Sequence, residues 1–439
     1  MLVGVSEIAS ACAVGSKGLR RSRGSRCSKG SSVTVLVDSI TRRRFVWLAA
    51  LAGGSLALSG CAGDGSNGTG GPTGVDGSGG EGAGDGQNPE AAAVAARAAV
   101  DERIGAMTLE QKVAQLFIVT PEALVEGVSQ VTQAGDMTRE GVTAHPVGGI
   151  VYFAQNLLDP EQTTTMLANV KQFYADAGNV APFIAVDEEG GTVVRVADNE
   201  AFGAQDVGDT EAAKRAAEQI ADYLMPLGFN LDFAPVADVV DPLRSDTMGL
   251  RSLSSDAAVA ADMVRAEVEG FRDKKMLCCA KHFPGIGAAA GDSHEGAITI
   301  EATNEELETV DLVPFRAAIE AGVPMIMVGH VSLPSIVGDS TPAPLSSAVV
   351  QGMLRDSLGY TGIIVTDSLS MGAITNYYTP AEAAVAALKA GCDVPLMPER
   401  FDEAYQGVLN AVQAGELTEE RIDESLIRIL AAKQEYFGL

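Results

Sequence analysis

The segment 280–294 combines residue types that can transfer protons. It reads AKHFPGIG at 280–287, and GDSH follows at 291–294. A carboxylate two residues from an imidazole can orient the ring and raise its basicity, as Asp292 and His294 could do here. The glycine-rich backbone lets such a loop move toward a bound substrate. The pattern therefore predicts acid–base chemistry delivered by a loop.

Two other interpretations of this segment have less support. Gly285, Gly287 and Ala290 mimic a dinucleotide-binding fingerprint, but the polar residues 292–295 interrupt the helix that this fingerprint requires. The chain has only four histidines, no His-x-His pair and no usable cysteine cluster, which argues against a metal site. We therefore predict neither a cofactor nor a metal.

Polar residues also follow apolar stretches elsewhere in the chain. Eight short stretches are apolar almost throughout, which is typical of parallel strands buried on both faces. The stretches are 113–120, 147–153, 182–187, 230–235, 276–283, 324–330, 362–367 and 392–397. Five of them carry ionisable residues at or near the end: Asp187, Asp232, Lys281 with His282, His330 and Asp367. A cap or a solvated rim would explain any single one, but five together favour a functional site.

Helical stretches separate the predicted strands. The stretches 210–227, 256–274 and 380–390 have helical patterns or helix-start residues, and 417–439 resembles a closing amphipathic helix. Eight strands that alternate with helices predict an α/β protein with a single (β/α)₈ TIM barrel. A doubly wound open sheet is the alternative. In a barrel, catalytic residues lie at the carboxyl ends of the strands, where the polar residues fall here.

Composition excludes several classes of protein. Of the 439 residues 46% are hydrophobic, which is enough for a sizeable core and excludes a wholly disordered chain. The formal net charge of −27 repels phosphate backbones, so we predict no nucleic-acid partner. The oligomeric state is not fixed by the sequence, and a monomer is the working expectation.

The first 60 residues resemble an export signal. They are basic, whereas the rest of the chain is strongly acidic, and Arg42, Arg43 and Arg44 precede an apolar run at 46–59. This run is shorter than the roughly 20 residues that a membrane-spanning helix needs, but it suits a signal peptide. The small residues before Cys61 are typical of a bacterial lipobox, in which that cysteine is lipidated. A short buried helix followed by a chance cysteine is the alternative.

The residues after Cys61 have the composition of a tether. Glycine dominates them, and their charged residues are all acidic. We therefore divide the chain into a twin-arginine-like lipoprotein signal (1–60), a glycine-rich acidic linker that carries the lipidated Cys61 (61–89) and a catalytic domain (90–439). The lipid would anchor the protein to the cell membrane at its extracytoplasmic face.

Five motifs in order resemble a known family. The loop resembles the K-H-F-P-G-x-G…D-x-H signature of bacterial β-N-acetylhexosaminidases of glycoside hydrolase family 3. The other motifs are VDEEGGTVVR at 186–195, DFAPVADV at 232–239, RSL at 251–253 and TDSLSM at 366–371. The resemblance covers about residues 104–439. One departure is Ile286, where many members of the family have histidine.

The resemblance implies a role for each matching residue. Asp367 matches the catalytic nucleophile, His294 matches the general acid/base, and Asp292 is its partner. The residues that match contacts to the terminal N-acetylglucosamine are Asp187, Arg195, Arg251, Lys281 and His282. Retaining glycoside hydrolysis needs a nucleophilic carboxylate and an acid for the leaving oxygen, and histidine titrates near neutral pH.

The leading hypothesis is an exo-acting β-N-acetylglucosaminidase that removes terminal N-acetylglucosamine from peptidoglycan fragments or related glycans. The same site could instead support a phosphorylase, since a histidine repels phosphate less than a carboxylate does, or a β-glucosidase. A non-catalytic sugar-binding lipoprotein is the third hypothesis, although such a protein would not need Asp367, Asp292 and His294 together. The partners expected are therefore a carbohydrate and, through the lipid, a membrane.

Overall fold

A parallel β-sheet forms the centre of the molecule. The computed structural model describes residues 89–125, 127–196, 209–241, 248–287, 289 and 296–438. The signal, Cys61, nearly all of the linker, Asp292 and His294 lie outside these residues. The strands are β1 (Ile118–Val119), β2 (Gly149–Tyr152), β3 (Phe183–Val186), β4 (Leu231–Asp232), β5 (Leu277–Phe283), β6 (Ile298–Thr299), β7 (Met325–Val328), β8 (Val331–Ser332) and β9 (Ile363–Thr366).

Seven strands make one curled sheet in the order β1-β2-β3-β4-β5-β7-β9, with every neighbouring pair parallel. β6 and β8 pair separately. Seven of the eight apolar stretches predicted from the sequence contain these seven strands. The α/β architecture with a curled parallel sheet is therefore confirmed.

The stretch around 393–397 contacts both edges of this sheet. Parallel bridges join Val394 to Val365 of β9 and Leu396 to Ile118 of β1. The amide of Thr366 donates to the carbonyl of Val394 at 3.0 Å, and the amide of Met397 donates to the carbonyl of Ile118 at 2.8 Å. The first and last strands of the sheet therefore share one neighbour.

Helices follow the strands and cover the sheet. The α-helices are α1 (Pro89–Gly105), α2 (Leu109–Gln115), α3 (Asp136–Ala144), α4 (Pro160–Asp176), α5 (Thr210–Leu227), α6 (Ala257–Asp273), α7 (Asn304–Glu306), α8 (Leu312–Glu320), α9 (Pro334–Val337), α10 (Gly372–Thr375), α11 (Pro380–Ala390), α12 (Phe401–Gln413) and α13 (Glu419–Phe437). Leu307–Asp311 and Ala348–Ser357 form π-helical turns. No helix among the described residues is long and apolar enough to cross a membrane.

Local sequence explains where the helices begin and end. Asp209 accepts a hydrogen bond from the amide of Ala212 and so caps α5, which ends at Gly228 with φ 113°. Thr379 and Glu382 cap each other's backbone amides at the start of α11, where Pro380 takes the first helical position.

The register of the sheet aligns the strand ends that carry polar residues. Val186 pairs with Asp232, and Asp232 pairs with Cys278, so Asp187 follows directly at the same edge. The strand side chains behind this edge are buried and apolar, and Cys278 and Cys279 are buried among them as free cysteines. A closely packed core therefore supports the polar groups at the carboxyl ends.

Candidate active site

Four charged side chains form a cluster at the carboxyl ends of β3 and β5. The Nζ atom of Lys281 lies 2.6 Å from Oδ1 of Asp187 and 2.7 Å from Oε1 of Glu189. Arg251, which follows β4 in the chain, donates to both oxygens of Glu189, from Nε at 2.8 Å and from Nη2 at 2.6 Å. We call Asp187, Glu189, Arg251 and Lys281 the ionic cluster.

The groups in the ionic cluster hold one another in their charged states. Burial raises the pKa of Glu189, but the cations of Lys281 and Arg251 outweigh it and bring this pKa to about 2. Burial lowers the pKa of Lys281, but Asp187 and Glu189 outweigh it and raise this pKa above the ordinary value. Glu189 also raises the pKa of Arg251 against the effect of burial. The charges of Glu189, Lys281 and Arg251 are therefore fixed across the physiological pH range.

His282 is oriented by a buried carboxylate. Its Nδ1 lies 2.7 Å from Oδ2 of Asp238, and its backbone amide also donates to this oxygen at 3.2 Å. Nη2 of Arg251 lies 3.4 Å from Nε2 of His282. Because arginine only donates, Nε2 accepts and the ring proton resides on Nδ1, where it is donated to Asp238. Asp238 thus selects the tautomer of His282.

Asp367 follows β9, the strand next to β7, and is half-buried. Its amide donates to the carbonyl of Val328, and its Oδ1 accepts a hydrogen bond from the amide of Ser368 at 2.7 Å. Burial raises its pKa, but the nearby His282 and His330 lower it by more, as do the Ser368 amide and Lys281. The pKa of Asp367 is therefore lowered, and the group is an anion at neutral pH.

His330 supports the segment that follows β9. This histidine is buried after β7, and its Nε2 lies 2.7 Å from the carbonyl oxygen of Ser368. A carbonyl accepts, so the contact is a hydrogen bond when Nε2 carries the proton. The contact joins the carboxyl ends of β7 and β9 beside Asp367.

Arg195 lies on the segment that leaves β3. Its guanidinium carbon is 6.0 Å from the centre of the Phe153 ring, at the end of β2. Its backbone amide donates to Glu188 at 2.6 Å, whereas its Nε is buried without a hydrogen-bond partner among the described residues. Arg195 therefore differs from Arg251, whose head group is bound by Glu189.

The structure brings most of the predicted site residues together. Asp187, Arg251 and Lys281 meet in the ionic cluster, and Arg251 also contacts His282. Phe283 of β5 pairs with Val328 of β7, and Val328 pairs with Thr366 of β9, so the predicted nucleophile Asp367 lies at the same edge of the sheet. Arg195 contacts a different set of residues, and Asp292 and His294 remain predictions.

The sequence analysis missed two residues that organise the site. Glu189 bridges Lys281 and Arg251, and Asp238 orients His282. Both lie inside motifs of the family, Glu189 in 186–195 and Asp238 in 232–239, but the sequence suggested no role for either. Glu189 could have been found from its spacing, because it lies two positions after Asp187 and therefore on the same face of an extended chain.

Asp232 has a structural contact at this edge of the sheet. Its Oδ1 accepts the amide of Glu188 at 2.9 Å, while its Oδ2 is buried without a partner among the described residues. Burial raises its pKa well above the ordinary value, the hydrogen bond from the Glu188 amide opposes this, and the Glu188 carboxylate adds to it. Among the same residues, no three His, Cys, Asp or Glu side chains are grouped so that they could hold a metal ion.

The arrangement suits a neutral, hydroxyl-rich ligand. Oriented donors and acceptors on the ionic cluster and His282 can bind hydroxyl groups, and an anionic carboxylate stands beside them. Because the cations are already matched by Asp187 and Glu189, the cluster does not require an anionic ligand.

Comparison with known proteins identifies the class. Residues 108–432 match the Glycosyl hydrolase family 3 N terminal domain. The chain belongs to this family of glycoside hydrolases, as its motifs suggested.

Several curated relatives are named for activity on hexosaminides. Beta-hexosaminidase LpqI of Mycobacterium tuberculosis is 33% identical over 73% of this chain and 82% of its own length. Beta-hexosaminidase A of Pseudoalteromonas piscicida is 30% identical over 67% of this chain, and the match spans 54% of that protein. A Cellulomonas fimi protein named beta-N-acetylglucosaminidase/beta-glucosidase is 31% identical over 74% of this chain and 57% of its own length.

Among solved structures, a glycoside hydrolase family 3 beta-N-acetylglucosaminidase from Paenibacillus sp. str. FPU-7 superposes with a TM-score of 0.71 and 38% identity. The superposition covers 75% of this chain and 63% of that chain. This chain therefore spans only part of some relatives but most of others.

Proposed function

We propose that this protein is a retaining exo-β-N-acetylglucosaminidase. The observation that carries the proposal is the Asp367 carboxylate at the same edge of the sheet as the ionic cluster, in a chain of glycosyl hydrolase family 3. The relatives named for hexosaminidase activity support the choice of sugar. A non-catalytic sugar-binding protein would not need the Asp367 carboxylate at this position.

The proposed reaction has two steps. The Asp367 carboxylate attacks the anomeric carbon while His294 gives its proton to the departing glycosidic oxygen, which forms a glycosyl-enzyme ester. His294, now neutral, takes a proton from water, whose oxygen attacks the anomeric carbon and frees Asp367. Asp292 would orient His294 in both steps.

The terminal sugar would be held by Asp187, Arg195, Arg251, Lys281 and His282. An ammonium group has three donors, and Lys281 uses two on Asp187 and Glu189, so one N–H remains for a sugar oxygen. Arg195, whose Nε has no hydrogen-bond partner among the described residues, offers further donors to the acetamido or hydroxyl oxygens.

The sheet would close into a complete (β/α)₈ barrel. The bridges of Val394 and Leu396 to β9 and β1 support this proposal, because an eighth strand that closed the barrel would pair with these same two strands. In a closed barrel, Asp187, Lys281 and Asp367 would surround one mouth, which is where catalytic residues lie in this fold.

We also propose that the protein is exported and anchored to the outer face of the cell membrane through Cys61, and that it acts as a monomer. The basic leader, the short apolar run and the glycine-rich acidic linker support this location. Peptidoglycan fragments are the proposed substrate, since they present β-linked N-acetylglucosamine at that face.

A paired assay tests the activity. The protein is incubated with an aryl β-N-acetylglucosaminide and with the matching aryl β-glucoside, each with and without phosphate, and the sugar product is identified. We expect aryl release only from the N-acetylglucosaminide, with free N-acetylglucosamine as product. Sugar 1-phosphate as product would establish a phosphorylase, and no release from either substrate would contradict the proposal.

β-Glucosidase activity is a second candidate because the Cellulomonas fimi relative is named for both activities. Comparable kcat/KM values on the two aryl substrates would support it. A preference of roughly 100-fold or more for the N-acetylglucosaminide, the size of a difference of about 3 kcal/mol in transition-state binding, would exclude it as a main activity.

A further inference from the structure

Glu188 holds the chain that leaves β3 with both of its carboxylate oxygens. The residue is fully buried. Its Oε2 accepts the backbone amides of Arg195 at 2.6 Å and Val196 at 3.2 Å. Its Oε1 accepts the hydroxyl of Tyr223 on α5 at 2.7 Å. Three donors from two parts of the chain therefore converge on one side chain.

The backbone of Glu188 is fixed as well. Its amide donates to Oδ1 of the buried Asp232 on β4 at 2.9 Å. Between Glu188 and Arg195 the chain turns back, with the amide of Glu189 donating to the carbonyl of Val193 at 3.0 Å. Residues 188–196 thus form a closed turn. Glu188 bonds the end of this turn to its start and also connects the turn to β4 and α5. We call these residues the β3 turn.

The two ends of the β3 turn serve different parts of the site. Near its start, Glu189 belongs to the ionic cluster. At its end stands Arg195, whose guanidinium lies near the ring of Phe153 and whose Nε is buried without a partner among the described residues. A buried donor without a partner is costly unless a ligand supplies the acceptor. The placement of Arg195 therefore depends on the backbone bond that Glu188 makes to it.

We propose that Glu188 is a positioning residue for the glycosidase site, which acts by fixing Arg195 where its guanidinium group meets the terminal sugar. The inference rests on the proposed function, because it takes the sugar as the ligand of Arg195. Glu188 itself contacts only the protein, so its effect on catalysis would pass through Arg195.

The role proposed for Glu188 is chiefly geometric. Burial raises its pKa, although the amide and hydroxyl donors and the positive charge of Arg195 oppose this. A glutamine could keep every contact, because its carbonyl oxygen can accept both amides while its amino group donates to the Tyr223 hydroxyl. Alanine would leave two buried amides and one hydroxyl without partners. Glu188→Gln and Glu188→Ala therefore separate shape from charge.

A double-mutant cycle on the full chain tests the proposal. The variants are Glu188→Ala, Glu188→Gln, Arg195→Ala and Glu188→Ala with Arg195→Ala, assayed on the aryl β-N-acetylglucosaminide. Glu211→Ala, an exposed glutamate on the same helix as Tyr223, is the matched control. We expect Glu188→Ala to raise KM by roughly 10-fold with a smaller effect on kcat, as misplacement of a binding group does. Glu188→Gln should stay within about 2-fold of the wild type.

The decisive comparison is between the effects of Glu188→Ala on kcat/KM in the wild type and in the Arg195→Ala variant. If Glu188 acts through Arg195, its loss there should change kcat/KM by less than about 2-fold. An equal loss in both backgrounds would overturn the proposal and leave Glu188 with a structural role only. Should Glu188→Ala fail to fold, Tyr223→Phe, which removes one of the three donors, takes its place in the cycle with the same expectation.

A second readout does not depend on activity. Hydrogen exchange at the amides of Arg195 and Val196 should be faster in Glu188→Ala than in the wild type, while the amides inside α5 stay protected. Unchanged exchange would overturn the proposal. Faster exchange in a protein that hydrolyses no β-N-acetylglucosaminide would instead contradict the proposed function, while the contact from Glu188 to the β3 turn would stand.

Discussion

Lys281 and Glu189 form an ion pair of 2.7 Å between two side chains that are each 2% exposed. The pair joins β5 to the chain that leaves β3, and Arg251 binds the same carboxylate. Water is excluded from the contact, so the attraction is screened much less than at the surface. The ionic cluster therefore stabilises the site as well as shaping it.

Replacement of Glu189 by glutamine should destabilise the protein in a pH-dependent way. The pKa of Glu189 is about 2 in the folded protein against 4.5 ordinarily, so its stabilising effect is present above about pH 4.5 and is lost as the pH falls toward 2. The shift corresponds to about 3 kcal/mol. We expect Glu189→Gln to lower the free energy of unfolding by about this amount at pH 7, with the difference shrinking below pH 4.5.

Chemical denaturation of both proteins between pH 3 and 7 measures this difference. Glu416→Gln is the control, since Glu416 pairs with Lys389 at the surface, where solvent screens the attraction. A Glu189→Gln difference that is independent of pH would contradict the role given to the carboxylate charge.

Asp238→Ala should impair catalysis through the tautomer of His282. Alanine removes the acceptor of the Nδ1 proton, so this proton is no longer held on Nδ1, and a proton on Nε2 would face the Arg251 donors. We expect a roughly 10- to 100-fold loss in kcat/KM, as when the partner of a functional histidine is removed. Steady-state kinetics on an aryl β-N-acetylglucosaminide measure it, with the surface variant Asp222→Ala as control. Full activity would show that the tautomer is irrelevant.

His294→Ala should slow substrates with poor leaving groups most. If His294 protonates the departing oxygen, an activated aryl group that needs no proton should be released almost normally, whereas an alkyl or sugar leaving group should lose roughly 10²- to 10⁴-fold. The test compares kcat/KM for a series of leaving groups of different pKa. An equal loss for all of them would remove His294 from the role of general acid.

Lys433 should cost the protein stability at low pH. The side chain is fully buried on α13, with its Nζ donating to Oε1 of Gln115 and to the carbonyl of Gly148, and lying 4.7 Å from the Phe183 ring centre. Burial lowers its pKa from 10.5 to about 7. Between these values the unfolded chain binds more protons, so stability rises with pH there and the cost is full below about pH 7.

Lys433→Met isolates this cost. The gain in unfolding free energy of the variant over the wild type should be about 4 kcal/mol larger at pH 6 than at pH 10, because methionine has no charge to bury. Denaturation of both proteins at the two pH values checks it, with the exposed Lys389→Met as control. A stability difference that does not change with pH would show that Lys433 keeps an ordinary pKa.

The local sequence pattern was sufficient to predict the strands of the sheet and the polar residues at their carboxyl ends. Apolar stretches with Asp187, Lys281 or Asp367 at the end identify both the sheet and the edge that matters, because parallel strands present their carboxyl ends together. The pairing within the site was not predictable in the same way. Glu188 and Glu189 are adjacent and chemically alike. In the structure Glu189 pairs with Lys281 and Glu188 accepts the Tyr223 hydroxyl, and the sequence alone does not show which glutamate takes which partner.

Lys433 shows a second limit of the sequence. The stretch 417–439 was interpreted as an amphipathic helix, in which a lysine is expected to face solvent. Its burial depends on acceptors from Gln115 and Gly148, which lie about 300 residues earlier in the chain. Such long-range contacts leave no periodic signal in the sequence.

The nucleophile is tested most directly by trapping the glycosyl-enzyme. The protein is treated with an activated 5-fluoro β-N-acetylglucosaminide, which forms the ester faster than water removes it, and the labelled peptide is located by mass spectrometry. The account predicts one sugar per chain, on Asp367, and no label in Asp367→Asn, whose turnover should fall roughly 10⁴-fold. A sugar attached to another residue, or turnover without any covalent species, would contradict it.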